Sequence, residues 1–275
     1  MVNFKKKKYK FTDETLCVGD TILHRIVSLR NFNDVKKGQL GGFIESEENL
    51  SHDGNCWVYY NAKVKDSARI SGNAEIKGDA HVFENAEVGG HAIVTDNARL
   101  YGFAFVIANA TINNNAKVYE YTTISDRAII GGNAIIRGKS KVYNNAIIGE
   151  NAVIEERASV CGDSVVYGTS NIKGDVILED FESYRNAEIS KTNEYFSCDM
   201  INYEIGPTSF YKTSTNKIRV VFHTDNGRIA SDVSLKSFMK LINEKCLNVD
   251  NIISYHKLID LVKSIIKVEN EDSDE

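Results

Sequence analysis

Two histidines, His81 and His91, are the residues whose type and surroundings best suit a general base in this chain. An imidazole titrates near neutrality, so it can take a proton from an acceptor hydroxyl or amine and give it back. Neither has an obvious carboxylate orienter next to it in sequence, which leaves Glu75 or Glu87 on adjacent faces as candidates. The competing reading is that both are ordinary surface imidazoles. A second pattern suits binding. His81 stands two residues before Phe83, Arg99 two before Tyr101 and Lys117 two before Tyr119, each set eighteen residues after the last, and Arg137 follows in the second column. Cations interleaved with aromatic rings hold anionic ligands, from a nucleotide to a nucleic-acid strand. Such a ladder also stabilises a β-surface with no ligand present.

Other chemistries find no support. The five cysteines (17, 56, 161, 198 and 246) are scattered without a Cys-x-x-Cys pair, which suggests neither a disulfide framework nor a zinc site. The sequence has no Walker loop, zincin motif or dinucleotide fingerprint, so neither a metal nor a cofactor is expected.

The element that would position these side chains is a repeat. From Val58, every sixth residue to Leu178 is Val, Ile or Leu, twenty-one positions in all. Two residues before each lies a small residue, usually Ala, with Cys56, Thr122, Ser140, Ser164, Ser170 and Val176 the exceptions. Gly, Asn and Asp fill the positions between, as in Gly72-Asn73 and Gly132-Asn133. A small-x-aliphatic segment is a short strand, and Gly or Asn tolerates the positive φ of a sharp corner. A period of six cannot keep one face of an α-helix in register. Six residues per side imply a triangular coil of eighteen, and thus about seven coils that bury their aliphatic residues against one another.

These motifs resemble the left-handed parallel β-helix of the hexapeptide-repeat superfamily, best known in acyltransferases. The resemblance implies an all-β solenoid, and it alone implies the left hand. The run Leu29-Arg30-Asn31-Phe32, Asp34-Val35-Lys36, Gly41-Gly42-Phe43-Ile44-Glu45-Ser46-Glu47, Asn49-Leu50-Ser51, Gly54 and Trp57-Val58 resembles something narrower. It is similar to the leader of uncharacterised hexapeptide proteins of bacteria and their phages.

The expected organisation is an N-terminal β cap over 1–55, the β-helix over 56–180, a small α+β unit over 181–268 and a disordered acidic tail over 269–275. The tail's Glu269, Glu271, Asp272, Asp274 and Glu275 account for the whole net charge of −5. In the α+β unit, Thr208–Lys212 and Lys217–Phe222 read as a hairpin. Ser234 caps a helix running to Cys246, and a second helix spans Asn251 to Lys267. No apolar run reaches the ~18 residues of a membrane span and no signal-peptide core follows the basic start, so the protein is expected in the cytoplasm.

Taking every third repeat separates three faces. One carries Ile93, Thr111, Ile129, Ile147 and Val165 beside Thr95, Asn113, Gly131, Gly149 and Tyr167, a flat and nearly uncharged strip. Such strips contact another surface, here a second copy through Ile93, Ile129, Ile147 and Val165, or the chain's own C-terminal unit. Another face sets six Lys or Arg against Glu155 alone and holds His81, Phe83, Arg99, Tyr101, Lys117, Tyr119 and Arg137. Acyltransferases of the superfamily use a histidine base in a cleft between subunits, often shaped by an inserted loop. No insertion interrupts these repeats. The expectation is therefore a non-enzymatic, oligomeric binding protein that engages a host protein or an anionic ligand. The phage resemblance implies that it acts on host machinery, such as a defence system. An acyltransferase with His81 as base, and a structural virion or polymer component, are the alternatives.

Overall fold

The computed structural model describes residues 7–198, 208–224, 229–245 and 249–266. Each hexapeptide forms a two-residue strand, as at Lys63–Val64, Arg69–Ile70 and Glu75–Ile76. Every third strand pairs in parallel, eighteen residues on: Glu75 with Ile93, Arg99 with Lys117, Phe105 with Thr123. Three ladders close a triangular prism, a parallel β-solenoid. Its aliphatic residues and the Ala slot beside them are buried along the whole length, from Val58 to Leu178. The ladder through Trp57 and Glu182 has eight rungs, about one coil more than the repeat count implies.

The extra rungs come from segments that do not keep the sixfold count. At the start, β1 (Tyr9–Val18), β2 (Thr21–Ser28) and β3 (Leu40–Ile44) form an antiparallel meander. Its third strand then pairs in parallel with Lys63–Val64. At the far end Glu182–Ser183 and Glu188–Ile189 lie on Val165–Val166 and Asn171–Ile172. There the offset drops from eighteen residues (Cys161 to Glu179) to seventeen (Val165 to Glu182). One missing residue ends the sequence period while the ladder continues.

Corners decide which residues the repeat admits. Successive coils place Asp66, Glu84, Gly102, Glu120, Gly138, Glu156 and Gly174 at one edge, all with positive φ. A left-handed conformation costs a non-glycine residue about 1–2 kcal/mol. Here each carboxylate offsets that by accepting the backbone N–H of the next corner, as Glu120 does from Gly138 at 2.8 Å and Glu156 from Gly174 at 3.0 Å. Glutamate therefore joins Gly, Asn and Asp as a corner residue. Along another edge Asn97, Asn115, Asn133 and Asn151 bond amide to amide at 3.1–3.3 Å.

A solenoid end exposes strand carbonyls with no next coil to bond them. At the N-terminal end side chains do that work. Tyr9 Oη donates to Leu50 O at 2.8 Å, and Asn49 Nδ2 donates to Asp66 O and Ala68 O, both at 2.9 Å. Phe32 and Tyr9 pack edge-on against buried Trp57.

The C-terminal end is closed by a four-stranded antiparallel sheet of Tyr195–Cys198, Thr208–Lys212, Ile218–Thr224 and Ile229–Ser234. Alternation gives it two buried faces. Tyr211 and Val221 join the solenoid core, while Phe210, Val220 and Phe222 pack against α1 (Leu235–Lys245) and α2 (Val249–Ile265). Ser234 Oγ caps α1 by accepting from Ser237 N at 3.1 Å. The sheet thus lies between the last coil and the helices. Cys246, Lys267 and the acidic segment 269–275 fall outside the described residues. No helix among the described residues is long and apolar enough to cross a membrane.

Candidate functional site

His81 sits between Lys63 and Arg99 on adjacent rungs. Its ring tilts 38° against Phe83 with 4.6 Å between centroids. Burial, then the neighbouring Lys65, Lys63 and Arg99, push its pKa down to about 4. Its Nε2 is closed to solvent and has no hydrogen-bond partner among the described residues. Glu75 is engaged by Lys77 at 2.5 Å, and Glu87 lies on a different sheet, paired with Arg69 and Phe105. Neither orients His81. His91 is exposed, with Nε2 3.1 Å from the Asn73 amide. A histidine with a carboxylate partner lies outside the repeat: His223 Nε2 is 2.7 Å and 2.8 Å from the two Glu182 oxygens, and Tyr184 Oη donates to Glu182 at 3.2 Å. This pair joins the C-terminal sheet to the last coil, as does the 3.6 Å ion pair of Arg185 with Asp232, which Arg219 and Tyr211 hold from within the sheet.

The aromatic ladder forms on the face where the spacing puts it. Phe83 and Tyr101 stack at 4.9 Å and 11°, Tyr101 and Tyr119 at 4.7 Å and 5°. The rung spacing matches the thickness of stacked rings, so the rings close each other's faces and turn their edges to solvent. Nucleobases stack on ring faces, so the ladder interior is not a stacking platform. Several of the cations are also spoken for. Arg137 bonds Glu155 through Nε at 2.9 Å and Nη2 at 2.5 Å, Lys65 pairs with Asp66 at 2.9 Å, and Lys173 with Glu188 at 2.7 Å. Arg99 and Lys117, rung neighbours and both exposed, make no ion pair among the described residues.

The same coils carry a second aromatic stack that lies at the corner, outside the columns the faces define. Phe103 and Tyr121 stack at 4.9 Å and 2°, and they are 52% and 59% exposed. Phe105, 37% exposed, stands beside them on the next face. Their eighteen-residue spacing was visible, but corner positions read as turn residues. A shallow trough continues along this edge past Tyr121, Lys139 and Arg157, where Gly138 and Gly174 leave room. Arg157 pairs with Asp175 across it.

On the apolar face the column runs Ile93, Thr111, Ile129, Ile147, Val165, as the spacing implies. Ile129 is 38% exposed, and Ile93, Ile147 and Val165 are half-buried. The Tyr167 ring lies across Gly149, where a Cβ would meet it at 2.2 Å. The described residues of the C-terminal unit cap the end of the prism and do not cover this strip. No cluster of His, Cys, Asp and Glu among the described residues could hold a metal ion.

These features define a parallel β-solenoid with two end caps. No family model matches the chain. A 76-residue stretch is 36% identical to an uncharacterized acetyltransferase, YdcK, of Escherichia coli (strain K12). That stretch covers 24% of this chain and 23% of the relative, so the chain spans less than a quarter of the protein it matches. Fold and similarity together fit the left-handed β-helix superfamily of hexapeptide proteins.

Proposed function

We propose that the chain is a non-enzymatic binding scaffold that engages an acidic protein surface through the edge around Arg99 and Lys117. The observation carrying this reading is that these two cations make no ion pair among the described residues and stand on the same coils as exposed Phe103 and Tyr121. Aromatic and Arg side chains are the usual anchors of protein interfaces. A protein partner is favoured over a nucleic-acid strand because the ladder offers ring edges rather than faces. Phe103, Tyr121 and Phe105 supply apolar contact, and Arg99 and Lys117 steer an acidic partner by charge. A phage source, a host-protein partner in the host cytoplasm and inhibition of a defence system rest on the resemblance of residues 29–58 alone. Pairing of two copies through Ile93, Ile129, Ile147 and Val165 belongs to the same reading.

The test uses fluorescent poly-L-glutamate and a single-stranded oligodeoxynucleotide as probes, titrated at low and raised salt. Salt-sensitive binding of the polypeptide that falls at least tenfold in Arg99→Glu/Lys117→Glu is expected. Equal binding by the wild type and the double variant removes this edge from consideration. Stronger binding of the oligonucleotide points to nucleic acid instead.

Acetyl transfer is the second reading, favoured by the similarity to YdcK. His81 would serve as base, but an imidazole held near 4 with Nε2 shut from solvent is a weak one at neutral pH. Calorimetry with acetyl-CoA decides: no heat of binding ends this reading, whereas binding that His81→Ala leaves catalytically silent supports it.

A further inference from the structure

Two anomalies of the sequence meet at the first coil. Lysine is almost never fully buried unless paired, yet Lys8 is 0% exposed. Cysteine occupies the small slot of the first repeat, where the other repeats carry Ala, Ser, Thr or Val. The structure brings them together. Lys8 Nζ donates to Cys56 O at 2.8 Å and lies 3.2 Å from Cys56 Sγ, with the Phe32 ring 5.4 Å away. Lys8 makes no ion pair with a carboxylate among the described residues. The carbonyl contact explains why an amine is useful there, since it satisfies an open coil end. It does not explain the thiol.

We infer that Lys8 and Cys56 form an oxidative modification site, in which hydrogen peroxide joins Nζ to Sγ and fastens the N-terminal strand to the solenoid. Separations of about 3–3.5 Å between reacting atoms are those of near-attack geometry, and the 3.2 Å contact falls within them. The thiol proton passes to Nζ, and the thiolate attacks one peroxide oxygen. The O–O bond breaks, an S–O bond forms, and the departing hydroxide takes the proton from Nζ as water. The neutral amine then attacks sulfur. An S–N bond forms, the S–O bond breaks, and the hydroxyl leaves with a proton from nitrogen as a second water. Thiol, amine and one peroxide thus become a sulfenamide and two waters; sulfur loses two electrons and the peroxide oxygens gain them. A sulfenic acid condensing with a nearby nitrogen is known cysteine chemistry, and a thiol reductant reverses it. Burial, the dominant influence on Lys8, lowers its pKa and so favours the neutral amine that the second step needs. Both groups are shut from bulk solvent, which excludes bulky thiol reagents; these reach exposed Cys17 instead.

The experiment treats the full chain carrying Cys17→Ser with graded hydrogen peroxide, blocks remaining thiols with N-ethylmaleimide under denaturing acid, digests with a protease that does not cut at lysine, and maps the peptides by mass spectrometry. The expected product is the Lys8 peptide joined to the Cys56 peptide, lighter by two hydrogens than their sum. Dithiothreitol should separate them, and Cys56→Ala should not form them. Because the decisive measurement is made with Lys8 and Cys56 intact, it does not depend on whether the Cys56→Ala control folds. Recovery of Cys56 as free thiol or sulfinic acid, with Lys8 unlinked at every peroxide dose, overturns the inference.

Discussion

The rings of Tyr101 and Tyr119 lie 4.7 Å apart and 5° from parallel, eighteen residues separated in sequence. Each therefore occupies the face that a ligand's own ring would need. The ladder is first a stabilising device of adjacent coils, and the proposed binding rests on Arg99, Lys117 and the corner aromatics instead. Such stacking contributes about 0.5–1.5 kcal/mol beyond simple burial. Tyr101, in the middle of the stack, should be its most sensitive member. Tyr101→Ala is expected to lower stability by about 1–2 kcal/mol in urea denaturation, and Tyr101→Phe to cost much less. Equal effects would locate the contribution in the hydroxyl rather than the ring.

His81 gives the fold an acid sensitivity. Its pKa drops from 6.5 to about 4 in the folded chain. Below pH 6.5 the unfolded chain takes up a proton that the folded chain refuses. Stability from this source is therefore lost as pH falls from about 6.5 to about 4, and levels off below. An NMR titration of the His81 ring should give a midpoint near 4, and His81→Gln should flatten the stability profile over that window. A midpoint near 6.5 would mean that the ring is more open to water than the geometry indicates.

Asn49 holds the first coil closed by four hydrogen bonds. Its amide donates to Asp66 O and Ala68 O, while its Oδ1 accepts from Glu45 N at 3.1 Å and Ser46 N at 2.8 Å. Replacement by Ala leaves Ser46 N, Asp66 O and Ala68 O without this partner, while Glu45 N keeps Val64 O; an unmet buried group costs about 1–3 kcal/mol. Asn49→Ala should therefore lose several times the stability lost by substituting exposed Asn33, a difference thermal unfolding can resolve. Asn49→Asp keeps the shape but loses both donated bonds, and it should be nearly as damaging.

Glycine at a corner and glycine in a turn should respond differently to the same change. Gly168 and Gly19 both have positive φ, at 71° and 61°. A Cβ on Gly168 would meet Arg185 O at 1.8 Å, whereas Gly19 has nothing within 4 Å. Gly19→Ala should cost about 1 kcal/mol, the conformational penalty alone. Gly168→Ala should cost clearly more, because backbone of the next coil must move. Similar denaturation midpoints would show that the last coils yield readily.

What the sequence by itself determined was everything that follows from a strict period. Residues six apart share an inward position and residues eighteen apart share a column, so Val58 to Leu178, the Asn97–Asn151 ladder, the Phe83–Tyr101–Tyr119 stack and the Ile93–Val165 strip were legible before any coordinates. The C-terminal hairpin and both helices were legible from their own local patterns. Only the tertiary structure decided what happens where periodicity stops. β1 and the strand at 229–234 pair with their sequence neighbours, Thr21–Ser28 and Ile218–Thr224, but sit outside the sixfold pattern, and a one-residue deletion hid the rungs at Glu182 and Glu188. Charge was partly legible from the columns: Glu155 stands eighteen residues from Arg137 and pairs with it, whereas Arg99 has His81 and Lys117 as column neighbours. The Lys8–Cys56 contact was not legible, because a buried amine meets a buried thiol only when the segment leading into β1 folds back over the first coil.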